Sequence, residues 1–168
     1  MRLLISALLC LVLVPAFGLA TAARGAVDAP APGAAPDELG WPLSPPPKPV
    51  RPFEAPEHPF GPGHRGVDLT GASGQPVLAA ADGVVIHAGG LADRELVSIQ
   101  HDAGLRTSYE PVHPIVETGE HVTRGQPIGR LQPGHCPATC LHWGVRAGED
   151  YLDPLGLLAH GRVRLLPW

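Results

Sequence analysis

The chain has 168 residues, with 16 acidic and 12 basic side chains and a formal net charge of −4. This charge disfavours a general nucleic-acid binder, which usually carries a clear basic surplus. Glycine and proline contribute 21 residues each, so turns must be abundant and a large all-α bundle is excluded.

The first 22 residues have the features of a secretory signal peptide. Arg2 precedes an uncharged run from Leu3 to Ala20, and residues 20–22 form a small-x-small cleavage pattern. An uncleaved membrane anchor is the alternative, because the run is just long enough to span a bilayer. Pro15 and Gly18 near its end favour cleavage. We therefore expect a protein that is exported to the cell envelope or beyond, with no membrane attachment after cleavage.

Residues 23–59 are predicted to form a proline-rich arm. Twelve prolines lie between residues 28 and 62, and such a segment cannot continue helices or supply central strands. An extended, semi-rigid spacer is expected. Trp41, Val50, Phe53 and Phe60 suggest that the second half of the arm packs along the surface of the following domain.

Residues 60–168 are predicted to form one all-β domain. Short apolar runs are separated by turn residues about every eight to twelve positions, which is typical of an antiparallel sandwich or barrel. A last edge strand is expected within residues 162–168. The other predicted strands are Pro76–Ala80, Gly83–Ala88, Leu96–His101, Leu105–Tyr109, Pro127–Leu131 and Cys140–Arg146.

Two cysteines remain after the predicted cleavage, Cys136 and Cys140, four positions apart. In an oxidising compartment, two such close cysteines usually form a disulfide. A metal-binding pair is the alternative.

Three side chains distant in sequence could form a metal site. His64 and Asp68 are four residues apart, and His142 follows 74 residues after Asp68. Two histidines and one carboxylate leave a tetrahedral Zn²⁺ with an open fourth position, as in catalytic zinc sites. The spacing alone is weak support, because His64 also suits a surface loop, Asp68 an Asx turn and His142 an amphipathic strand.

Five sequence motifs occur in a fixed order along the chain: His64–Gly83, Leu105–Tyr109, Val122–Gly129, Leu141–Trp143 and the pair at residues 153–154. Their order resembles that of the lysostaphin/LytM-like zinc metallopeptidases. The resemblance covers about 100 residues and implies a compact antiparallel β fold with a groove over one sheet. It also implies zinc ligation by His64, Asp68 and His142, and action on the peptide cross-links of bacterial peptidoglycan.

Two residues depart from that family pattern. Active members carry a His-x-His motif, whose first position is Cys140 here, and a Tyr-x-His motif, whose histidine position is Pro111 here. Both usual catalytic histidines are therefore absent, while the implied metal ligands remain. If Cys140 is bridged to Cys136, its sulfur is unavailable to the metal and the open coordination position survives.

Three side chains are candidates to replace the missing histidines. Glu110 is the leading candidate for the general base, although regular strand parity relative to Tyr109 places it on the other face unless the chain bulges at Pro111. His113 shares the face of Tyr109, but it lies about 6–7 Å further along the strand than position 111, where the family has its histidine. His135 could enter from the loop before Cys140, but we expect it at the groove rim.

The sequence therefore supports two alternative functions. The first is an exported zinc metalloendopeptidase that acts on peptidoglycan peptides. The second is a catalytically inactive module that keeps the metal site and binds the cell wall or regulates another cell-wall hydrolase. The two differ in whether zinc-loaded protein releases peptides from peptidoglycan.

Overall fold

The computed structural model describes residues 38–58 and 61–158. The predicted signal peptide, the arm before residue 38 and the strand expected within residues 162–168 lie outside this part. All described residues belong to one compact unit. Within the described ranges, no helix is long and apolar enough to cross a bilayer.

Short strands dominate this part of the chain, because apolar alternation is interrupted by turns at glycine, proline and aspartate. Two short 3₁₀ segments at Asp102–Gly104 and Pro154–Leu157 complete the regular structure. The strands are β1 (Pro49–Arg51), β2 (Val67–Thr70), β3 (Pro76–Leu78), β4 (Gly83–Leu91), β5 (Arg94–Gln100), β6 (Leu105–Glu110), β7 (Val112–Pro114), β8 (His121–Val122), β9 (Pro127–Leu131), β10 (Cys140–Ala147) and β11 (Asp150–Leu152).

Two antiparallel sheets form the fold, as the all-β prediction required. The larger has the order β1-β2-β10-β6-β5-β4-β8, with β11 also paired to β10, and the smaller has the order β3-β9-β7. The predicted fold class is confirmed. The six strands between residues 76 and 146 that the sequence predicted are all present. β9 has the predicted bounds and the other five have shifted ends, whereas β1, β2, β7, β8 and β11 were not predicted.

The proline-rich segment contributes to the domain. β1 pairs with β2 at the edge of the larger sheet, which is the position where proline is tolerated. Leu39 and Leu43 are fully buried in the core. Residues 38–58 therefore pack on the β domain, while the division of the chain at residues 22 and 59 stays a prediction.

The hydrophobic core draws its side chains from both sheets. Fully or almost fully buried apolar residues line it from each side, and burying such side chains is the main favourable term in the stability of a domain of this size. The largest of these residues are Trp143, Tyr109, Leu39, Leu43, Leu69, Ile99, Ile128, Leu131 and Leu141.

Tyr109 shows which face of β6 points into the core. Its hydroxyl accepts hydrogen bonds from the backbone N–H of Ala80 at 3.0 Å and from the Thr107 hydroxyl at 2.9 Å. Burial raises the pKa of Tyr109 to about 12. This phenol therefore stays neutral and anchors the two sheets, and the residues beside it in β6 face the other way.

Candidate metal centre

Asp68, His142 and Glu110 lie side by side on three neighbouring strands. His142 of β10 is opposite Asp68 of β2 on one side and opposite Glu110 of β6 on the other. Opposed residues of antiparallel strands point to the same face. The next residue, Trp143, is fully buried in the core, so the row of Asp68, His142 and Glu110 faces away from it.

This register corrects the parity argument for Glu110. The sequence analysis placed Glu110 on the wrong face unless the chain bulged at Pro111, because it took Tyr109 as the reference for the site. Tyr109 instead occupies the core face, and Glu110 reaches the face of His142 through regular pairing. The role of Glu110 as a base stays a prediction.

The donor atoms of His64, Asp68 and His142 converge. Asp68 Oδ1 lies 3.0 Å from His64 Nε2 and 2.9 Å from His142 Nδ1, and these two nitrogens are 3.0 Å apart. His64 and Asp68 are buried. Tetrahedral zinc with bonds of ~2.0–2.1 Å separates its ligands by roughly 3.3 Å. The three side chains expected to share an ion therefore lie at the spacing such an ion needs.

Hydrogen-bond accounting shows that this donor set fits a cation. The carbonyl of Pro52 lies 2.6 Å from His64 Nδ1 and can only accept, so Nδ1 carries a proton. In the neutral form of the ring, Nε2 then presents a lone pair. That lone pair faces the carboxylate oxygen of Asp68 at 3.0 Å, where neither atom of a neutral imidazole and a carboxylate can donate. A second proton on the ring satisfies this contact, and so does a metal ion between the two atoms. A backbone carbonyl on the outer nitrogen is the usual support for a histidine that binds a metal.

The surroundings of Asp68 keep its carboxyl group ionised. Burial by itself raises the pKa of its carboxyl, but the hydrogen bond with His142 and the charges of His64, His142 and His135 outweigh burial, so the pKa lies below the ordinary value. A carboxylate that stays ionised at neutral pH is the form that binds a divalent cation.

His135 also reaches the site, which corrects its expected place at the groove rim. Its Nε2 lies 3.1 Å from Asp68 Oδ1, and one donor atom from each of His64, Asp68, His135 and His142 lies within 4.8 Å of the others. The sequence could have pointed to His135 through its position next to Cys136, close to the strand that carries His142. The path of the intervening loop was not predictable from that spacing.

The disulfide between Cys136 and Cys140 is present in the structure, with 5.8 Å between the two Cα atoms. It closes the loop that carries His135 onto the first residue of β10. Asp68 and His135 also lie near these two sulfurs, but bridged sulfurs cannot act as thiolate ligands. The bridge therefore shapes the site without joining the donor set.

The remaining candidate, His113, lies outside the donor group. It belongs to β7 in the smaller sheet, and its exposed ring contacts Glu95 Oε2 at 2.9 Å. The carboxylate of Glu110 meets Arg94 Nη1 at 3.5 Å. Glu110 therefore combines a place beside His142 in the row of strands with an ion pair to Arg94.

Two cavities flank His135. One, of about 300 Å³, is lined by Arg94, Pro111, Gln132 and His135 among others. The second, of about 490 Å³, is lined by Asp68, His135 and the disulfide, with β1 on its far side. The two cavities share His135, and the second also reaches Asp68, so the open surface beside the donor group consists of these two depressions, which are together called the groove below.

A family model for "Peptidase family M23" matches residues 62–154. The chain belongs to peptidase family M23. The matched segment runs from just before His64 to the 3₁₀ segment at Pro154, and it contains every residue of the donor group. The predicted resemblance to lysostaphin/LytM-like peptidases is confirmed.

Relatives and solved structures agree with membership of family M23. An uncharacterized protein of Mycobacterium tuberculosis is 52% identical over 147 residues, which cover 80% of this chain and 59% of that protein. The murein hydrolase activator NlpD of Escherichia coli is 29% identical over 99 residues, covering 57% of this chain and 26% of NlpD. This chain thus spans only part of the length of these relatives.

A zinc-containing peptidase of Vibrio cholerae shares the fold. Its crystal structure superposes with a TM-score of 0.61 at 24% identity, covering 70% of this chain and 39% of that one. At this level of identity the similarity shows the fold alone. Against the M23 pattern, Pro111 follows the end of β6 and Cys140 is bridged, so neither position supplies a titratable side chain.

Gly66 leaves the space that the ring of His142 occupies. A Cβ at this position would lie 2.5 Å from the backbone oxygen of Trp143 and 2.7 Å from His142 Nε2. We expect Gly66→Ala to destabilise the domain by about 1–3 kcal/mol through overpacking and to weaken zinc binding. Chemical denaturation and competition with a chromophoric chelator measure the two effects. Gly90→Ala is the control, because a Cβ there meets no atom within 4 Å; equal behaviour of the two variants would contradict the prediction.

The disulfide is expected to stabilise the fold by restricting the unfolded chain. For a loop of this length, loop-closure entropy amounts to about 2 kcal/mol. The double variant Cys136→Ser/Cys140→Ser should lose that amount in reversible denaturation, and treatment of the wild type with dithiothreitol should reproduce the loss. Unchanged stability in both experiments would show that the bridge contributes nothing.

Proposed function

We propose that this chain is an exported, zinc-dependent hydrolase of the peptide cross-links in bacterial peptidoglycan. The observation that carries the proposal is the convergence of His64 Nε2, Asp68 Oδ1 and His142 Nδ1 within 3.0 Å of one another. The donor group lies beside an open groove in a domain of peptidase family M23, which is what cleavage of an extended peptide needs.

The chain's own residues have separable roles in this proposal. His64, Asp68 and His142 hold the ion, which when bound lowers the pKa of a water ligand and polarises the scissile carbonyl. Glu110, on the same face of the sheet as His142, accepts a proton from the attacking water and delivers it to the leaving amine. Arg94 contacts Glu110 at 3.5 Å and directs its carboxylate. The groove residues orient the peptide.

Digestion of purified peptidoglycan tests the proposal. Zinc-loaded wild type and the His135→Ala variant are incubated with the polymer, and new peptides with free amino termini are detected by mass spectrometry. His135 is varied because its ring contacts Asp68. Release by either protein, lost in Asp68→Asn, supports hydrolysis. No release by either protein, across several wall chemistries, overturns it.

A regulatory module is the second candidate function. The replacement of both usual catalytic histidines by Pro111 and Cys140 favours it, as does the similarity to a protein named murein hydrolase activator. This candidate predicts that the zinc-loaded chain sediments with peptidoglycan without releasing peptides. It also predicts that Glu110→Gln leaves that binding unchanged.

A further inference from the structure

We propose that His135 is a fourth protein ligand, which fills the coordination position that a catalytic zinc keeps open. This inference deepens the proposed function and rests on it. Its starting point is the contact of 3.1 Å between His135 Nε2 and Asp68 Oδ1, the same oxygen that the other two histidines contact at 3.0 and 2.9 Å.

The geometry favours ligation over a simple hydrogen bond. One donor atom from each of four side chains lies within 4.8 Å of the others, so the imidazole of His135 is within reach of the same ion. The rings of His135 and His142 are 5.0 Å apart between centroids. Three histidines and one aspartate complete a tetrahedral zinc shell, and a shell made only of protein ligands is closed.

The four ligands differ in how firmly they are held. Asp68 and His142 lie on the paired strands β2 and β10. His64 is buried, and its Nδ1 is hydrogen-bonded to the carbonyl oxygen of Pro52. His135 lies on a loop, and its side chain is the most exposed of the four at 20%. Both cavities of the groove border it. His135 is therefore the ligand that an entering substrate can displace.

The disulfide explains how a loop residue stays at the site. Cys136, the residue after His135, is bridged to Cys140 at the start of β10. Because the tether restricts the loop, an imidazole that has left the zinc remains close to it and competes with water and substrate for the fourth position. The resting form is consequently a closed site that opens when peptide occupies the groove.

X-ray absorption at the zinc edge and the azide response of the cobalt-loaded chain test this inference without measuring hydrolysis. The full wild-type chain should show three imidazole ligands, and azide should leave its cobalt spectrum unchanged. His135→Ala should show two imidazoles, and azide should shift its visible bands. His113→Ala is the matched control, because that histidine binds Glu95 away from the donor group, and it should behave as wild type.

The outcomes separate the two proposals. Two imidazoles in the wild type, or an azide shift in the wild type like that of the variant, overturn the fourth ligand while leaving a zinc hydrolase intact. A wild-type chain that retains no zinc removes the proposed function itself. The wild-type measurements decide the question alone, so a variant that fails to fold does not affect the test.

Discussion

Asp68→Asn is expected to abolish both zinc retention and any hydrolysis. Asp68 Oδ1 is the atom that three histidines share, at 2.9 to 3.1 Å, and it supplies the negative charge of the donor group. An amide oxygen is a weaker ligand for zinc than a carboxylate. Since loss of an outer-shell partner alone costs about 10–100-fold in metal affinity, replacing this ligand should cost at least about 100-fold.

Thermal unfolding with and without zinc measures this loss independently of activity. A ligand that binds only the folded state raises the melting temperature, so zinc should stabilise the wild type and leave Asp68→Asn unchanged. Asp93→Asn is the control, because Asp93 is a highly exposed carboxylate that pairs with Arg94 at the rim of the groove. A zinc-dependent shift in Asp68→Asn equal to that of the wild type would contradict the assigned site.

Glu110→Gln is expected to lower peptide release by about 10²–10⁴-fold, the range for loss of a general base. The substitution keeps the size of the side chain and removes its ability to take a proton. Because Glu110 lies in the same row as His142 but outside the donor group, zinc stoichiometry should not change. The substitution is made in the wild type or in His135→Ala, whichever releases peptides. The rate of release and the bound zinc are then measured on the same preparation.

A matched control separates the loss of a general base from a non-specific effect of substituting a side chain near the groove. His113→Ala removes a titratable group from β7, which follows β6 in the chain but lies in the smaller sheet. His113 contacts Glu95 there, and its loss should leave the rate of peptide release unchanged. If Glu110→Gln cleaves as fast as the wild type, Glu110 is not the base. Equal losses in both variants would also contradict its assignment.

The sheet was predictable where strands alternate over five or more residues. β4, β5, β6, β9 and β10 combine apolar periodicity with turn residues at both ends, so local sequence determines them. The unpredicted strands have two to four residues, too few for a period to show. β3 is as short, but it begins an apolar run at residues 76–80 that marked it in the sequence. They exist because longer neighbours offer them backbone partners, which is a tertiary effect.

The convergence of three side chains was predictable from the sequence, whereas the approach of a fourth was not, and metal ligation stays a prediction. His64, Asp68 and His142 follow from residue chemistry and the order of family motifs, and β2 and β10 bring them together. The face of Glu110 was misjudged because sequence parity does not show which of two faces is the core. His135 reaches Asp68 through an irregular loop tied by a disulfide, and no periodicity encodes such a path.

Anomalous diffraction at the zinc edge, from crystals of the full chain grown with zinc, tests the central claim most directly. The account predicts one strong peak per chain, bounded by His64 Nε2, Asp68 Oδ1 and His142 Nδ1, the atoms that now lie within 3.0 Å of one another. A peak elsewhere, or none at these atoms, would contradict it.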